Sequence, residues 1–322
     1  MSSTSTILVN PHVGTVEGAT VRERLALYLL QNAAWVLSPL HDFGFSVVAK
    51  AVGRALPSSK SVSIDLNGAG TFSMPYCDPY WGRLLHKGWR HEPEIVNFIE
   101  HMRHVDYAFI DGGANYGYWS VIVAGSSGGA KPTVAIEAAS DTYRWLETNC
   151  RDNASRFEAM NRALGSQPDQ VVRIYGAKHE ARTTVAPDDS AAGTMEVVTT
   201  TLDDVFEKLV QATERKFVVK LDVEGVEVDA LQGGKKLCDQ DTVFIYEEHG
   251  KDDSHDVSRY VKDEMGGRVF WFGDNAGEVV DLDQIKPIKK SKRHGYNFVA
   301  TRSAYWLSEI DAAMSKMAAV ER

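Results

Sequence analysis

Phe109-Ile-Asp-Gly-Gly-Ala-Asn-Tyr-Gly-Tyr-Trp119, FIDGGANYGYW, is the stretch on which the fold turns. A short apolar run ends in a carboxylate, Asp111, and enters a glycine turn at once. Glycine turns that follow a strand usually bring backbone N–H groups to a phosphate. An acid at the mouth of the turn would repel one. The dinucleotide fingerprint G-x-G-x-x-G is also absent, because the order here is Gly112-Gly113-Ala114-Asn115-Tyr116-Gly117. The turn therefore suits a ligand that carries positive charge, approached closely by backbone that lacks a Cβ.

Outward from this turn, strand and helix patterns alternate. TVAIEA (133–138) reads as a second strand, with Ser140 and Asp141 capping a helix after it. FEAMNRAL holds a third strand, KFVVKLDV (216–223) a fourth and TVFIYEE (242–248) a fifth. EVDALQGGKKL reads as one helix, and the tail adds RVFWF, EVVDL and YNFVATR as strands. The pattern predicts an α/β fold, a Rossmann-like sheet with helices on both faces. EPEIVNFIEHM has helical spacing, with Pro93 in its first turn. Residues 1–20 read as loose, 21–56 as one or two helices broken near Pro39 and Gly44, and 61–76 as a hairpin around Asn-Gly-Ala-Gly. The expected division is an N-terminal helical and hairpin segment, 1–90, able to act as a substrate lid, and a catalytic domain, 91–322.

In parallel sheets ligands bind at the carboxyl ends of the strands. Here those ends carry acids: Asp111, Glu137, Asp222 with Glu224, and Glu247 with Glu248. One such acid is commonly a helix cap; four strand ends so marked form a constellation. Glu137 stands where an acid would accept ribose hydroxyls. S-adenosylmethionine offers an ammonium, a sulfonium and a ribose, and so matches the set. Expected cofactor contacts are Asp111, Gly112, Gly113, Asn115, Gly117, Glu137 and Asp222.

The sequence resembles the FkbM family of S-adenosylmethionine-dependent methyltransferases. The resemblance rests on FIDGGANYGYWS and VAIEA, reinforced by TTTLDDVF (199–206) and VVKLDVEGVEVDALQGG (218–234). It implies a class I methyltransferase core and methyl transfer mostly to oxygen, often on sugars or secondary metabolites. By position, Asp111, Gly113, Asn115 and Gly117 match the family's cofactor turn. Glu137 matches its ribose acid, and Asp222, Glu224, Gly225 and Glu227 its D-x-E-G-x-E motif. Ala138 departs from the proline that many members carry after the acid.

Methyl transfer to a hydroxyl needs in-line geometry and an acceptor for the proton. Asp222, Glu224 and His249 are the candidate catalytic residues. Glu224 is expected to contact the acceptor, with capping of the next helix as its alternative role. His249, directly after the fifth strand, could serve as a base near neutral pH. Asp222, Glu224, Glu247 and His249 could also hold a divalent cation, but the reading assigns no metal. Aromatics in MPYCDPYWGRLLHKGW, among them Tyr76, Tyr80, Trp81 and Trp89, could line a lid or seal the N-terminal segment to the core.

The 322 residues, 43% hydrophobic, suffice for a sizeable core. Thirty-five basic against 44 acidic residues give a net charge of -9, which argues against a general nucleic-acid binder. Cys77, Cys150 and Cys238 form neither a metal spacing nor a disulfide framework, so a reducing, cytoplasmic setting is expected. No stretch reads as a membrane span, although LALYLLQNAAWVLSPL (25–40) invites contact with a membrane surface as the minor alternative to packing. The partner is expected to be a small-molecule or glycan acceptor. The rival readings are a catalytically inactive S-adenosylmethionine-binding domain with a regulatory role and a nucleotide-dependent oxidoreductase, the latter weakened by the missing fingerprint.

Overall fold

The structure is a computed structural model, and it describes residues 6–40, 42–176, 179, 182–184, 195–210, 216–292 and 294–320. The strands β1 (Thr6–Asn10) and β2 (Thr15–Glu17) come first, then helices α1 (Val21–Leu37) and α2 (Phe45–Ala55) and strands β3 (Ser61–Asp65) and β4 (Thr71–Pro75). The four strands form one sheet in the order β2-β1-β3-β4. Residues 6–17 thus correct the expectation of a loose start. Ile7 and Val9 alternate inward along β1 and give it a buried face despite its five-residue length. The predicted hairpin is β3–β4, antiparallel from Ser61↔Pro75 to Asp65↔Thr71.

The rest of the chain builds the larger sheet. Its elements are α3 (Pro93–Met102), β5 (Tyr107–Gly112), α4 (Tyr118–Ala124), β6 (Thr133–Ile136), α5 (Ser140–Asp152) and β7 (Glu158–Met160). A small sheet of β8 (Ala163–Leu164), β9 (Val171–Ile174) and β10 (Met195–Thr200) interrupts it before α6 (Leu202–Val210) and β11 (Lys216–Leu221). Then come α7 (Glu227–Gln232), α8 (Lys235–Cys238), β12 (Thr242–His249), α9 (Asp256–Asp263), β13 (Arg268–Trp271), β14 (Gly277–Val279), α10 (Ile285–Ile288), β15 (Gly295–Thr301) and α11 (Ala304–Val320). The order across the eight strands is β14-β13-β15-β12-β11-β5-β6-β7. β7, β6, β5, β11 and β12 run parallel; β15 joins β12 antiparallel. The chain has the expected Rossmann-like α/β architecture, a largely parallel sheet with helices on both faces.

Both faces of this sheet are buried, which is why its strands are almost continuously apolar. Tyr107 and Phe109 of β5, Val218 of β11 and Ile245 of β12 face α3, α4 and α11, where Phe98, Trp119 and Trp306 fill the layer. Ala108, Ile110, Val219 and Tyr246, the alternate residues, face Leu202, Leu231, Leu237 and Val261 of α6 to α9. The expected single helix from 227 to 237 is two, α7 and α8. Gly233 and Gly234 separate them because a Cβ on Gly233 would stand 2.3 Å from the Gly165 carbonyl oxygen.

The two sheets are joined by side chains. Asn149 on α5 accepts from Ser73 N at 2.6 Å and donates to Ser73 O at 3.0 Å. One turn later Asn153 does the same to Thr71, at 2.9 and 2.7 Å. Two carboxamides four residues apart thus take the place of a strand beside β4.

Candidate functional site

Because β5, β6, β11 and β12 are parallel neighbours, their carboxyl ends meet at one edge, bringing together the acids singled out above. The glycine turn occupies the centre. Gly113 has φ +71, and a Cβ there would lie 1.8 Å from the Asp222 carbonyl oxygen, so only glycine lets the turn press against the end of β11. Gly113 N and Ala114 N both donate to Ile136 O, at 3.0 and 2.9 Å, which ties the turn to β6. A pocket opens beside it, bounded by Gly113–Asn115, Glu137, Lys220, Asp222–Glu224, Tyr80, Trp81 and His91.

Glu137 is buried on that wall. One carboxylate oxygen accepts from Asn115 N at 3.0 Å, the other from Ala139 N at 2.8 Å. Burial dominates these bonds and pushes its pKa up to about 7. Helix α5 starts without a side-chain cap, at Ala139, contrary to the capping expected of Ser140 and Asp141. The Asp141 carboxylate is committed instead to Arg182, another pocket residue. Asn115 is a junction: its Oδ1 accepts from Trp81 Nε1 at 3.0 Å, and its Nδ2 donates to His179 O at 2.9 Å.

Asp111, Gly112 and Gly117 lie off the pocket wall. Asp111 is 1% exposed; its Oδ2 accepts from Ser120 at 2.6 Å, and its Oδ1 has no hydrogen-bond partner among the described residues. Burial raises its pKa against the pull of Lys220. Lys220 is itself buried, and its ammonium donates to Asp222 at 3.1 Å. Burial alone would lower the lysine pKa, but Asp222, Glu92 and Asp111 outweigh it and keep the ammonium protonated.

Beyond Lys220 the acids outnumber it. Glu92 sits in the left-handed region at φ 45, accepts from Trp119 Nε1 at 2.6 Å and pairs with His91 at 3.2 Å. Sequence reasoning missed this pair; the signal was two polar residues, His91-Glu92, immediately before the helix-starting Pro93. Glu247 packs onto Gly295, where a Cβ would strike its carboxylate. Burial and the charges of Asp222, Glu224 and Glu92 raise its pKa well above the ordinary carboxylate value.

Glu224, at φ 56, does not cap a helix: α7 begins at Glu227. Glu227 instead orders the loop, accepting from Val223 N at 3.1 Å and from Gly225 N. This leaves the Glu224 carboxyl group free to hydrogen-bond His249 Nε2 at 3.1 Å. Burial raises the Glu224 pKa, and the hydrogen bond to Glu224 raises that of His249. Glu224 lines the pocket and His249 stands outside it, half exposed. Ligand atoms of Glu224, Glu247 and His249 all lie within 4.8 Å of one another, a spacing a divalent ion can bridge.

Residues 111–269, about half of the chain, match the family model described as "Methyltransferase FkbM domain". This segment belongs to the FkbM methyltransferase family. The FkbM segment runs from the acid at the mouth of the glycine turn to β13, and so contains every strand end just described. Among solved structures, the chain resembles an FkbM methyltransferase from Methylobacillus flagellatus KT at 15% identity and TM-score 0.34. That match covers 70% of this chain, which spans only about half, 48%, of the other. A precorrin-6y C5,15-methyltransferase from Geobacter metallireducens GS-15 is 10% identical, TM-score 0.36, covering 66% of this chain and 88% of that one. P. horikoshii TYW2, solved in complex with MeSAdo, is 12% identical, TM-score 0.34, covering 83% and 85%. No curated protein matches the chain. No helix among the described residues is long and apolar enough to cross a membrane.

Proposed function

We propose that the pocket binds S-adenosylmethionine and that the chain transfers its methyl group to a hydroxyl of a sugar or other small polar acceptor. The donor set fits the cofactor. Asp111 Oδ1 is a buried acceptor lacking a donor, and Asp222, Glu224, Glu247 and Glu92 crowd a single lysine. A cationic ligand in the pocket would offset this excess of negative charge. Backbone at Gly113–Asn115 and the Asp222 carboxylate would receive the amino-acid end, Asp111 acting from beneath the turn through the field. Glu137 would accept the ribose hydroxyls with the lone pairs its two backbone donors leave over. When bound, the cofactor supplies a methyl group on a sulfonium, electrophilic without further activation.

The observation that carries the chemistry is the Glu224–His249 pair, one member inside the pocket and the other outside. An acceptor hydroxyl placed against Glu224 gives its proton to that carboxylate as the oxygen takes the methyl group. His249, hydrogen-bonded to Glu224 and half exposed, lies between that carboxyl group and solvent and offers the proton a way out. Tyr80 and Trp81 bring the 1–90 segment to the acceptor side, so that segment shapes the pocket as well as covering it. A net charge of -9 favours a small acceptor over a nucleic acid. The three free cysteines support a reducing compartment such as the cytoplasm.

Calorimetry with S-adenosylmethionine and with NAD, followed by methyl transfer from labelled cofactor to a panel of sugars and phenols, tests the proposal. Tight binding of the first and product on a hydroxyl is expected. Binding without turnover on any acceptor would favour the inactive-domain reading, and preference for NAD would end both.

A further inference from the structure

Helix α1 is apolar on two opposite faces. Ala26, Leu27, Leu30 and Ala34 are buried in the N-terminal core. The opposite face repeats roughly every four residues: Val21, Leu25, Tyr28, Leu29 and Val36, with Trp35 beside them. Val21 is 84% exposed and Trp35 62%; Val47 on α2 adds a further 70%. Phe43, 66% exposed, lies between α1 and α2; the other exposed large hydrophobic residues among those described, Leu8, Val13, Val171 and Val280, are scattered. Asn32, whose amide donates to Tyr28 O at 2.7 Å, is the one polar residue in the middle of this stripe; an exposed apolar face of this extent marks a contact surface.

The charges around this face decide what meets it. At about 100° per residue, Arg22 and Arg24 fall on either side of the stripe. Lys50 and Arg54, one turn apart and exposed on α2, stand on the same side of that helix as Val47. The one acid of α1, Glu23, is turned inward, held by Ser58 and Lys60; α2 has none. Asp42, between the helices, is bound by Trp89 Nε1 and Arg83. On a chain of net charge -9, this is a basic, aromatic island. A second copy docked here about a two-fold axis would bring four cations against their own equivalents. An anionic bilayer surface complements both parts, taking Trp, Tyr and Leu at the acyl boundary and Arg and Lys at the lipid phosphates.

We propose that α1, supported by α2, rests on an anionic membrane surface as a peripheral anchor. This inference is independent of the methyl-transfer reading. The test is co-sedimentation of the full chain with phosphatidylcholine vesicles, and with vesicles in which about a third of the lipid is phosphatidylglycerol. Association with the anionic vesicles, weakened by salt and nearly absent with neutral ones, is expected. V21E together with W35E should reduce it at least about tenfold, and R22A together with R24A should reduce the preference for anionic lipid. All four positions lie on the outer surface, so circular dichroism should be unchanged. Should the Glu pair fail to fold, brominated lipid still reads the contact: it should quench the wild type more than W35F. Absence of association, association indifferent to the Glu pair in a folded protein, or a dimer in light scattering that the Glu pair abolishes would each overturn the proposal, the last by assigning the face to a second copy.

Discussion

The carboxyl end of β12 carries two clusters of nearly the same composition, one on each side. On one side Glu248, Asp252 and His255 converge, and Lys289 closes the group. Its ammonium reaches Glu248 at 3.0 Å, the His249 and Asp252 carbonyls at 2.8 Å each, and His255 Nδ1 at 3.1 Å. Glu248 also accepts from Ser258 N at 2.9 Å, so its charge is matched within the protein. On the other side Glu224, Glu247 and His249 converge beside Asp222, and the nearest buried cation, Lys220, is already shared with Asp222, Glu92 and Asp111. The first cluster supplies its own cation. Among the described residues the second has none of its own, a deficit that a cationic cofactor would remove. Composition alone does not distinguish the two clusters; the sequence position of one lysine does.

Four measurements sharpen or break this contrast. The largest effect should be on turnover: E224Q should lower kcat by about 10²–10⁴ with cofactor affinity nearly intact. Normal turnover in E224Q with a dead H249A would move the base to the histidine. Next is stability. K289M leaves Glu248 buried beside an apolar chain and should cost about 3–5 kcal/mol in denaturant unfolding. E247Q, which removes a charge held among like charges, should leave stability unchanged or raise it; the reverse ranking would mean that the clusters have been assigned the wrong way round.

Smaller is the effect of pH on cofactor affinity. Glu137, raised to about 7 by burial, contributes stability while protonated that is lost as pH rises through that value. Ribose hydroxyls need its ionised form, so affinity should climb across the same interval. Because the cofactor's amine also titrates, the wild-type profile should be compared with that of E137Q, whose binding should be about tenfold weaker and lack this component. The smallest expected effect is that of a chelator. If Glu224, Glu247 and His249 act as proton carriers, EDTA leaves turnover unchanged; inactivation restored by a divalent ion would convert the cluster into a metal centre.

Much of this was legible in the sequence because the strands of a parallel sheet are buried on both faces, so a polar residue at a strand end stands out. Asp111, Glu137, Asp222, Glu224, Glu247 and His249 were singled out in this way; the structure gathers their strand ends at one edge, with Asp111 off the pocket wall. What periodicity could not supply were the partners reached across the fold. Trp81 meets Asn115, His91 and Glu92 meet Trp119, and Arg182 meets Asp141 over long separations. Nor could it show which acids are spent internally: Glu227 on the loop after β11, Glu248 on Lys289. The strands at 6–17 were missed because five and three residues are too few to display an alternation.

The pairing of Asn149 and Asn153 with β4 has a consequence for how the molecule opens. The amides of Ser73 and Thr71 are held by a helix of the methyltransferase sheet rather than by a neighbouring strand. Their exchange with deuterated solvent should therefore follow the unfolding of α5, not that of the small sheet in which they reside. The seam between the two sheets would then be among the last places to exchange, and a cut between residues 90 and 91 would divide the sequence without separating the halves.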